Sequence, residues 1–532
     1  MVRWLAVVLL ISGTVSAQSE PAAVRVQLPQ GVLEGESLGK VSAFFDIPYA
    51  APPVGPLRFR APQAAPSWPG VRSALDMGPA CPQLIDDDPT ENNDSVMAED
   101  CLSVNVWTPR ADAGKRPVMV WIHGGAFVVG SSRNTFYDGA HLAAHGDVVV
   151  VSLNYRLGAW GFLDLQDVFG SPYAGTANLA LQDQIAALIW VQKNIAHFGG
   201  DPANVTIFGE SAGASSVGAL LSMPQAKALF SKAILESGVP SQRPVDDHQR
   251  TARLAAEFLK QLGVSTPAEL AAKPMRALLD AQRQVFNGTG DIGTFVPWVD
   301  GTVIKEQPFS VVAEGRGNPV PILIGTTAQE MRYFSTAEDL GIERKPKELL
   351  LKQLEAVAGP RAREILATYQ RLYPNWGDTV VQIASDAIMR FPSIELAERA
   401  GAHQPVYMYL FTYRSTSTYK NFGSAHAMEL PFVFGVEDRP EVIVFSGRDP
   451  RRHELAEQVM DRWVAFARSG DPTVQDGPRW LPYDAGKRFT MELGFPLRGI
   501  DNPLAEQRDV WGNTRPTVQQ AWPFLLRNGG TP

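Results

Sequence analysis

The chain has 532 residues, of which 45% are hydrophobic and 20% charged, with a formal net charge of −8. That balance belongs to a folded globular protein and excludes a disordered or fibrous one. The acid excess leaves no basic footprint for a polyanion, so nucleic acid is not expected as a partner.

In chain order, the first segment reads as an export signal. Met1-Val2-Arg3 supplies a short positive start, Trp4 to Ile11 an apolar run, and Val15-Ser16-Ala17 a small-residue cleavage site. Cleavage near Ala17 leaves a mature chain from about Gln18 and predicts a secreted or periplasmic product. The apolar run is too short to span a bilayer and no later one is long enough, so no membrane span is expected. The two cysteines, Cys81 and Cys101, suit one disulfide in an exported protein or two unrelated buried thiols.

Pro117 to Ile122 and Asp147 to Leu153 are continuous valine-rich runs of strand length, which predicts strands covered on both faces. Asn178 to His197 places Leu181, Ile185, Leu188 and Ile189 near a helical period and stops at Gly199-Gly200-Asp201-Pro202. Val205 to Phe208 then reads as strand, with a helix from Ser211. Ile322 to Ile324 and Val406 to Tyr413 read as further strands. Between about 240 and 401 helical patterns dominate, such as Thr251 to Leu262 and Lys347 to Leu372. The alternation predicts an α/β fold with a mostly parallel sheet flanked by helices. Residues 18–532 are expected to form one domain with a helical insertion.

Gly209-Glu210-Ser211-Ala212-Gly213 lies where strand turns into helix. In such a G-x-S-x-G turn the backbones pass so closely that the flanking residues must be small, and the serine hydroxyl is held out of the core. A hydroxyl needs a base and an oxyanion site to react at neutral pH. The turn His123-Gly124-Gly125-Ala126-Phe127 follows the strand ending at Ile122, and the N–H groups of Gly124, Gly125 and Ala212 would form the oxyanion hole. For this turn the chain order is nucleophile, acid, histidine, which leaves His248, His403, His426 and His453 as candidate bases. His248 and His453 sit among charged neighbours and His403 in a polar turn. His426, in a loop between an aromatic strand and an apolar segment, is the best base. Several carboxylates could be the acid; Glu330, just past the strand at Ile322 to Ile324, has the right position, with a helix cap as its alternative role.

These residues carry an extensive resemblance. Phe45 to Ala50, Glu99-Asp100-Cys101-Leu102, Asn154 to Gly158, Phe198 to Pro202, Phe208 to Gly213, Glu429 to Gly435 and Trp463 to Pro472 resemble the type-B carboxylesterases, the cholinesterase-like family of α/β-hydrolases, over nearly the whole mature chain. The resemblance implies carboxylic ester hydrolysis through an acyl-enzyme on Ser211, with His426 as base and Glu330 as third member. It also implies a Cys81–Cys101 disulfide and supporting roles beside the triad for Glu210 and Ser237. One departure is local: the family usually follows the triad glutamate with glycine, often after aspartate, where this chain has Gln329 and Met331.

No cofactor or metal is required by this chemistry. His141 and His145 have i, i+4 spacing, but Leu142 stands where a zinc hydrolase needs glutamate, so they are expected as surface residues. Amide or thioester cleavage would use the same apparatus, whereas a noncatalytic binding module would be expected to lose the serine or histidine. The segment from Cys81 to Cys101 contains no aromatic residue and carries Asp86, Asp87, Asp88, Glu91, Asp94, Glu99 and Asp100, expected mostly as solvated surface. In the cholinesterase branch this loop provides an aromatic face for a quaternary ammonium group. Its loss predicts a preference for neutral esters.

Overall fold

A computed structural model describes residues 23–84, 96–240, 248–289, 292–336, 340–514 and 516–525. The expected signal segment and Asp86, Asp87, Asp88, Glu91 and Asp94 lie outside the described residues.

A thirteen-stranded sheet organises the chain, with β1 (Ala23–Leu28), β2 (Gly31–Ser37), β3 (Ser42–Pro48), β4 (Val71–Ser73) and β5 (Ser103–Thr108) toward one end. Its middle holds β6 (Arg116–Ile122), β7 (Val149–Leu153), β8 (Gly200–Glu210), β9 (Lys232–Glu236), β10 (Ile322–Thr327) and β11 (Val406–Phe411). β12 (Thr490–Leu493) and β13 (Arg498–Ile500) close the far edge. The spatial order is β1-β2-β3-β5-β7-β6-β8-β9-β10-β11-β12-β13, with β4 beside β2. Every pairing from β7 through β12 is parallel. Antiparallel pairings join β1 to β2, β2 to β3, β3 to β5 and β5 to β7, and β12 to β13.

The valine-rich runs are continuous because helices cover both faces. Along β6, Val118, Val120 and Ile122 enter one core while Met119 and Trp121 enter the other, as the two-residue period of a strand requires. All five are fully buried, and burial of each such side chain is worth about 1.5–3 kcal/mol. The helices Leu179–Asn194 and Ala212–Ser222 pack into the first core, and Ala140–Gly146 and Arg452–Ser469 into the second.

One helical position departs from the sequence-based expectation. Ile189 is exposed, whereas Asp183 and Gln184 of the same helix are buried. Asp183 forms a bidentate ion pair with Arg156 at 2.6 and 2.7 Å, and Gln184 donates to Ser216 Oγ. Leu181 and Leu188 enter the core and Ile185 packs partly against it, so the apolar period holds except at Ile189, and the buried polar positions are those with distant polar partners. The helical pattern over Lys347 to Leu372 forms two helices, Lys347–Ala358 and Ala362–Leu372. Gly359, at φ 53°, and Pro360, with no N–H to donate, break the ladder between them. The helix-rich stretch as a whole lies on either side of β10 in the chain.

Cys81 and Cys101 are joined by a disulfide. Glu99 is not solvated surface: it is buried and paired with Arg58, whose Nη1 also donates to the carbonyls of Ala271 and Lys273 at the end of the helix Pro267–Ala272. Asp100 is exposed, as expected. No helix among the described residues is long and apolar enough to cross a membrane.

Candidate active site

The expected site residues follow the carboxyl ends of adjacent parallel strands, where an open α/β sheet leaves its crevice. His123 to Gly125 follow β6, Ser211 follows β8, Ser237 follows β9, and Glu330 and His426 follow β10 and β11.

Ser211 sits at φ 57°, ψ −119°, a strained conformation for a residue with a Cβ, costing on the order of 1–3 kcal/mol. The fold leaves no room to relax it. A Cβ at Gly213 would lie 2.0 Å from the Ile122 carbonyl oxygen, and one at Gly209 would lie 2.6 Å from the same oxygen. The Ser211 N–H donates to the Glu236 carbonyl at 2.9 Å, tying the corner to β9. A Cβ at Gly238 would in turn lie 2.4 Å from the Ser211 carbonyl oxygen. These contacts are the physical reason for glycine on both sides of the serine. The Ser211 side chain stays partly exposed while its neighbours Glu210 and Ala212 are buried.

Gly124 lies against this corner. A Cβ there would be 2.9 Å from the Glu210 carbonyl oxygen and 3.3 Å from the Ser211 Cβ. Gly125 has φ 100° and its Cβ would meet the Val129 carbonyl oxygen at 2.2 Å, so only glycine fits. Ala212 is the first residue of the helix Ala212–Ser222, where the N–H has no intrahelical acceptor. The three expected oxyanion donors thus come from one glycine turn and one helix start beside Ser211.

His426 and Glu330 meet directly. The imidazole Nδ1 donates to Glu330 Oε2 at 2.6 Å, and the Thr327 N–H donates to Glu330 Oε1 at 2.6 Å. The His426 N–H donates to the Glu330 carbonyl, and the Gln329 N–H to the Ser424 carbonyl. Glu330 is fully buried. The two departures from the family pattern both have work in this fold. Gln329 Oε1 accepts from the Ser424 N–H, clamping the histidine loop, and Met331 is fully buried in the core.

The other ring nitrogen, His426 Nε2, has no hydrogen-bond partner among the described residues. It lies 3.0 Å from Glu210 Oε1, a contact of charges without hydrogen-bond alignment. Burial works against a charged imidazole, but the carboxylates of Glu210 and Glu330 outweigh it and hold His426 up at about 9. Burial, opposed by the His426 charge and reinforced by Glu429 and Glu330, pushes Glu210 up to about 8. Each group holds the other in its charged form, so they titrate as a pair. A base must be neutral to accept a proton, so if His426 is the base, as the resemblance implies, activity should rise with pH as it loses its proton. Removing the Glu210 charge destabilises the imidazolium and frees the base at lower pH. Glu210→Gln is therefore expected to move the acidic limb of the kcat/KM profile to lower pH, whatever happens to its plateau. A limb left in place would assign the elevation of His426 to its other carboxylate neighbours.

Behind this pair stand buried carboxylates that sequence reasoning did not assign. Glu429 Oε1 accepts from Ser237 Oγ at 3.0 Å and from Tyr409 Oη at 3.1 Å. Burial and then Glu330 push Glu429 up to about 7. Glu236 Oε1 accepts from Trp463 Nε1 at 2.7 Å, and burial followed by Glu429 pushes it well above the usual carboxylate range. The signal that could have found them is a single carboxylate inside an apolar run, as in Ile234-Leu235-Glu236 and Met428-Glu429-Leu430. Ser237, expected beside the triad, contacts Glu429.

The remaining histidines fall elsewhere. His248 pairs with Asp167, His145 with Asp461, and His141, His145 and His403 are exposed. Among the described residues Glu437, Asp438 and His453 bring ligand atoms within 4.8 Å of one another. His453 however turns Nδ1 to Glu437 and Nε2 to Asp438, the arrangement of an imidazolium between two carboxylates and not of a metal ligand with a free lone pair.

The sequence model of the Carboxylesterase family matches residues 22–511. The para-nitrobenzyl esterase of Bacillus subtilis is 37% identical over 494 residues, covering 90% of this chain and 96% of that protein. The acetylcholinesterase of Bungarus fasciatus is 34% identical, covering 97% of this chain and 91% of its own. A crystal structure of the Geobacillus stearothermophilus carboxylesterase EST55 superposes with a TM-score of 0.80 at 36% identity, covering 92% of this chain and 99% of that one. With a strained serine corner, a glycine turn beside it and a paired histidine and glutamate at the ends of a parallel sheet, the chain belongs to the carboxylesterase family, the serine-type carboxylic ester hydrolases of the α/β-hydrolase fold.

Proposed function

We propose that the protein hydrolyses carboxylic esters to acid and alcohol through an acyl-enzyme on Ser211. The observation that carries this reading is the 2.6 Å His426–Glu330 bond beside a serine held at positive φ. In this reading His426 Nε2 takes the Ser211 proton as Oγ attacks the ester carbonyl, and the C–O bond to the alcohol breaks as Nε2 returns that proton to the leaving group. Water then enters and gives a proton to Nε2 as it attacks the acyl carbonyl, and the bond from the acyl carbon to Ser211 Oγ breaks as Nε2 returns that proton to Oγ, releasing the acid and restoring the serine. The N–H groups of Gly124, Gly125 and Ala212 hold the negative oxygen in both halves, and a donor of this kind is worth about 3–4 kcal/mol. Glu330 holds the imidazole in the tautomer that leaves Nε2 free to accept. Fluorophosphonate labelling mapped by peptide mass spectrometry tests the assignment; a label on a residue other than Ser211 overturns it.

The same reading extends to substrate class and location. Neutral esters are the proposed substrates. The segment from Cys81 to Cys101 contains no aromatic residue, and screening limits what its acidic groups can do for a cation at physiological salt. Half-buried Tyr333 and Phe334 place their ring centres 6.4 and 5.4 Å from the His426 ring, where they offer apolar surface to an ester. The kcat/KM of a choline ester is expected to match that of its uncharged isosteric ester within a few-fold, at low and moderate salt. A large choline preference that survives added salt would reverse this assignment and make Tyr333 the first residue to test as a cation face. Export to the periplasm or the exterior is proposed from the Met1 to Ala17 signal pattern, and the Cys81–Cys101 disulfide suits an oxidising compartment.

A further inference from the structure

His123 and Tyr155 are buried beside the glycine turn and take no part in the chemistry above. Their rings stack with centres 4.4 Å apart and planes within 19°. His123 Nδ1 lies 2.8 Å from the Gly124 carbonyl oxygen, and the Tyr155 hydroxyl donates to the His123 carbonyl at 2.7 Å. Those two carbonyls belong to the two peptide groups whose N–H ends are on Gly124 and Gly125.

In a trans peptide the C=O and N–H point in opposite directions because the unit is planar. Fixing the carbonyl end therefore fixes the direction of the N–H end. We infer that His123 and Tyr155 are positioning residues for the oxyanion hole, each gripping one of its two glycine peptides by the carbonyl and so presenting the opposite N–H to the ester oxygen. The inference rests on the proposed assignment of Gly124 and Gly125 as oxyanion donors.

Glycine alone cannot supply this order. Gly125 sits at φ 100°, and Ala126 and Phe127 continue at φ 52° and 65°, so the turn is built from conformations that a free chain leaves readily. The grip is sealed from the far side by Gly130. A Cβ there would lie 2.6 Å from His123 Nδ1 and 2.7 Å from the Gly124 carbonyl oxygen. Gly130 is itself held by Gln83, which accepts from its N–H and donates to its carbonyl. The bond to a carbonyl requires the proton on Nδ1, and burial holds His123 down at about 4. The ring is therefore neutral wherever His426 is a useful base, and its role has no pH dependence of its own.

The test compares His123→Leu, which loses the donor, with His123→Asn, whose side-chain amide can reach the same carbonyl, and with Tyr155→Phe. Each variant is titrated with a fluorophosphonate to its endpoint so that rates are read per competent serine. Against a neutral ester, His123→Leu is expected to lose on the order of 10²-fold in kcat with KM little changed. Its affinity for a trifluoromethyl ketone, which forms an oxyanion on the serine, should fall in parallel. Tyr155→Phe should lose about tenfold in both, and His123→Asn should recover most of the loss. The midpoint of the kcat/KM pH profile should stay in place, because His426 is untouched. Wild-type kcat and ketone affinity in titrated His123→Leu and Tyr155→Phe, or a shifted pH midpoint as the whole effect, would overturn the inference. If His123→Leu does not fold, His123→Asn and Tyr155→Phe decide it alone: a tenfold loss in Tyr155→Phe supports it, and a wild-type rate overturns it. A wild-type protein unlabelled at Ser211 would instead remove the catalytic reading on which the inference stands.

Discussion

Ser211→Ala is expected to reduce kcat by about 10⁵-fold or more and to abolish fluorophosphonate labelling, while Tm stays within about 2 °C of the unaltered protein. The size of the rate loss follows from the covalent route: without the hydroxyl no acyl-enzyme forms, and His426 and the oxyanion donors have no nucleophile to assist. The small stability change follows from the corner. Alanine keeps the Cβ and the strained φ of 57°, and the hydroxyl it removes sits on a partly exposed residue outside the packed sheet. Turnover on a neutral ester, per folded molecule, is the measurement. Undiminished hydrolysis would remove Ser211 as nucleophile, and a collapse of Tm would mean that the serine is structural.

Glu330→Gln is expected to lower kcat by about 10³- to 10⁴-fold, less than the serine replacement. Both carboxylate oxygens are used: Oε2 accepts from His426 Nδ1 and Oε1 from the Thr327 N–H. A glutamine has one oxygen and one amide nitrogen for these two donors, so one bond must be lost. If the amide nitrogen faces His426, the ring takes its other tautomer and the proton moves to Nε2, where the base should be vacant. If it faces Thr327, two buried donors oppose each other, at a cost of about 1–3 kcal/mol in stability, and the imidazolium formed during attack still loses its countercharge. KM should change little, since Glu330 is fully buried and acts through the histidine. A fully active Glu330→Gln would remove Glu330 as third member.

The chemistry-bearing positions were legible because their requirements are local. A serine between glycines at a strand-to-helix junction, a double glycine after a buried strand and a histidine in a loop before an apolar run are each decided by a few consecutive residues. Glu330 was legible only by position, since nothing in Gln329-Glu330-Met331 announces a partner 96 residues away. The resemblance to a family added the proposed role of Glu330 as third member and the disulfide, which spacing alone left open.

By itself the sequence determined the alternation of buried strands and helices, the corner at Ser211 and the acidic character of the chain. These depend on side-chain period, turn chemistry and composition, all properties of short windows. The tertiary structure decided what depends on partners remote in sequence. Arg156 holds Asp183 in the interior, Arg58 does the same for Glu99, and Glu429 and Glu236 meet Ser237 and Trp463 there. An ionisable group enters a protein interior when a partner compensates its lost hydration, as Arg156 does for Asp183, or when burial favours its neutral form, as for Glu236. Which group finds such a partner is a property of the folded chain.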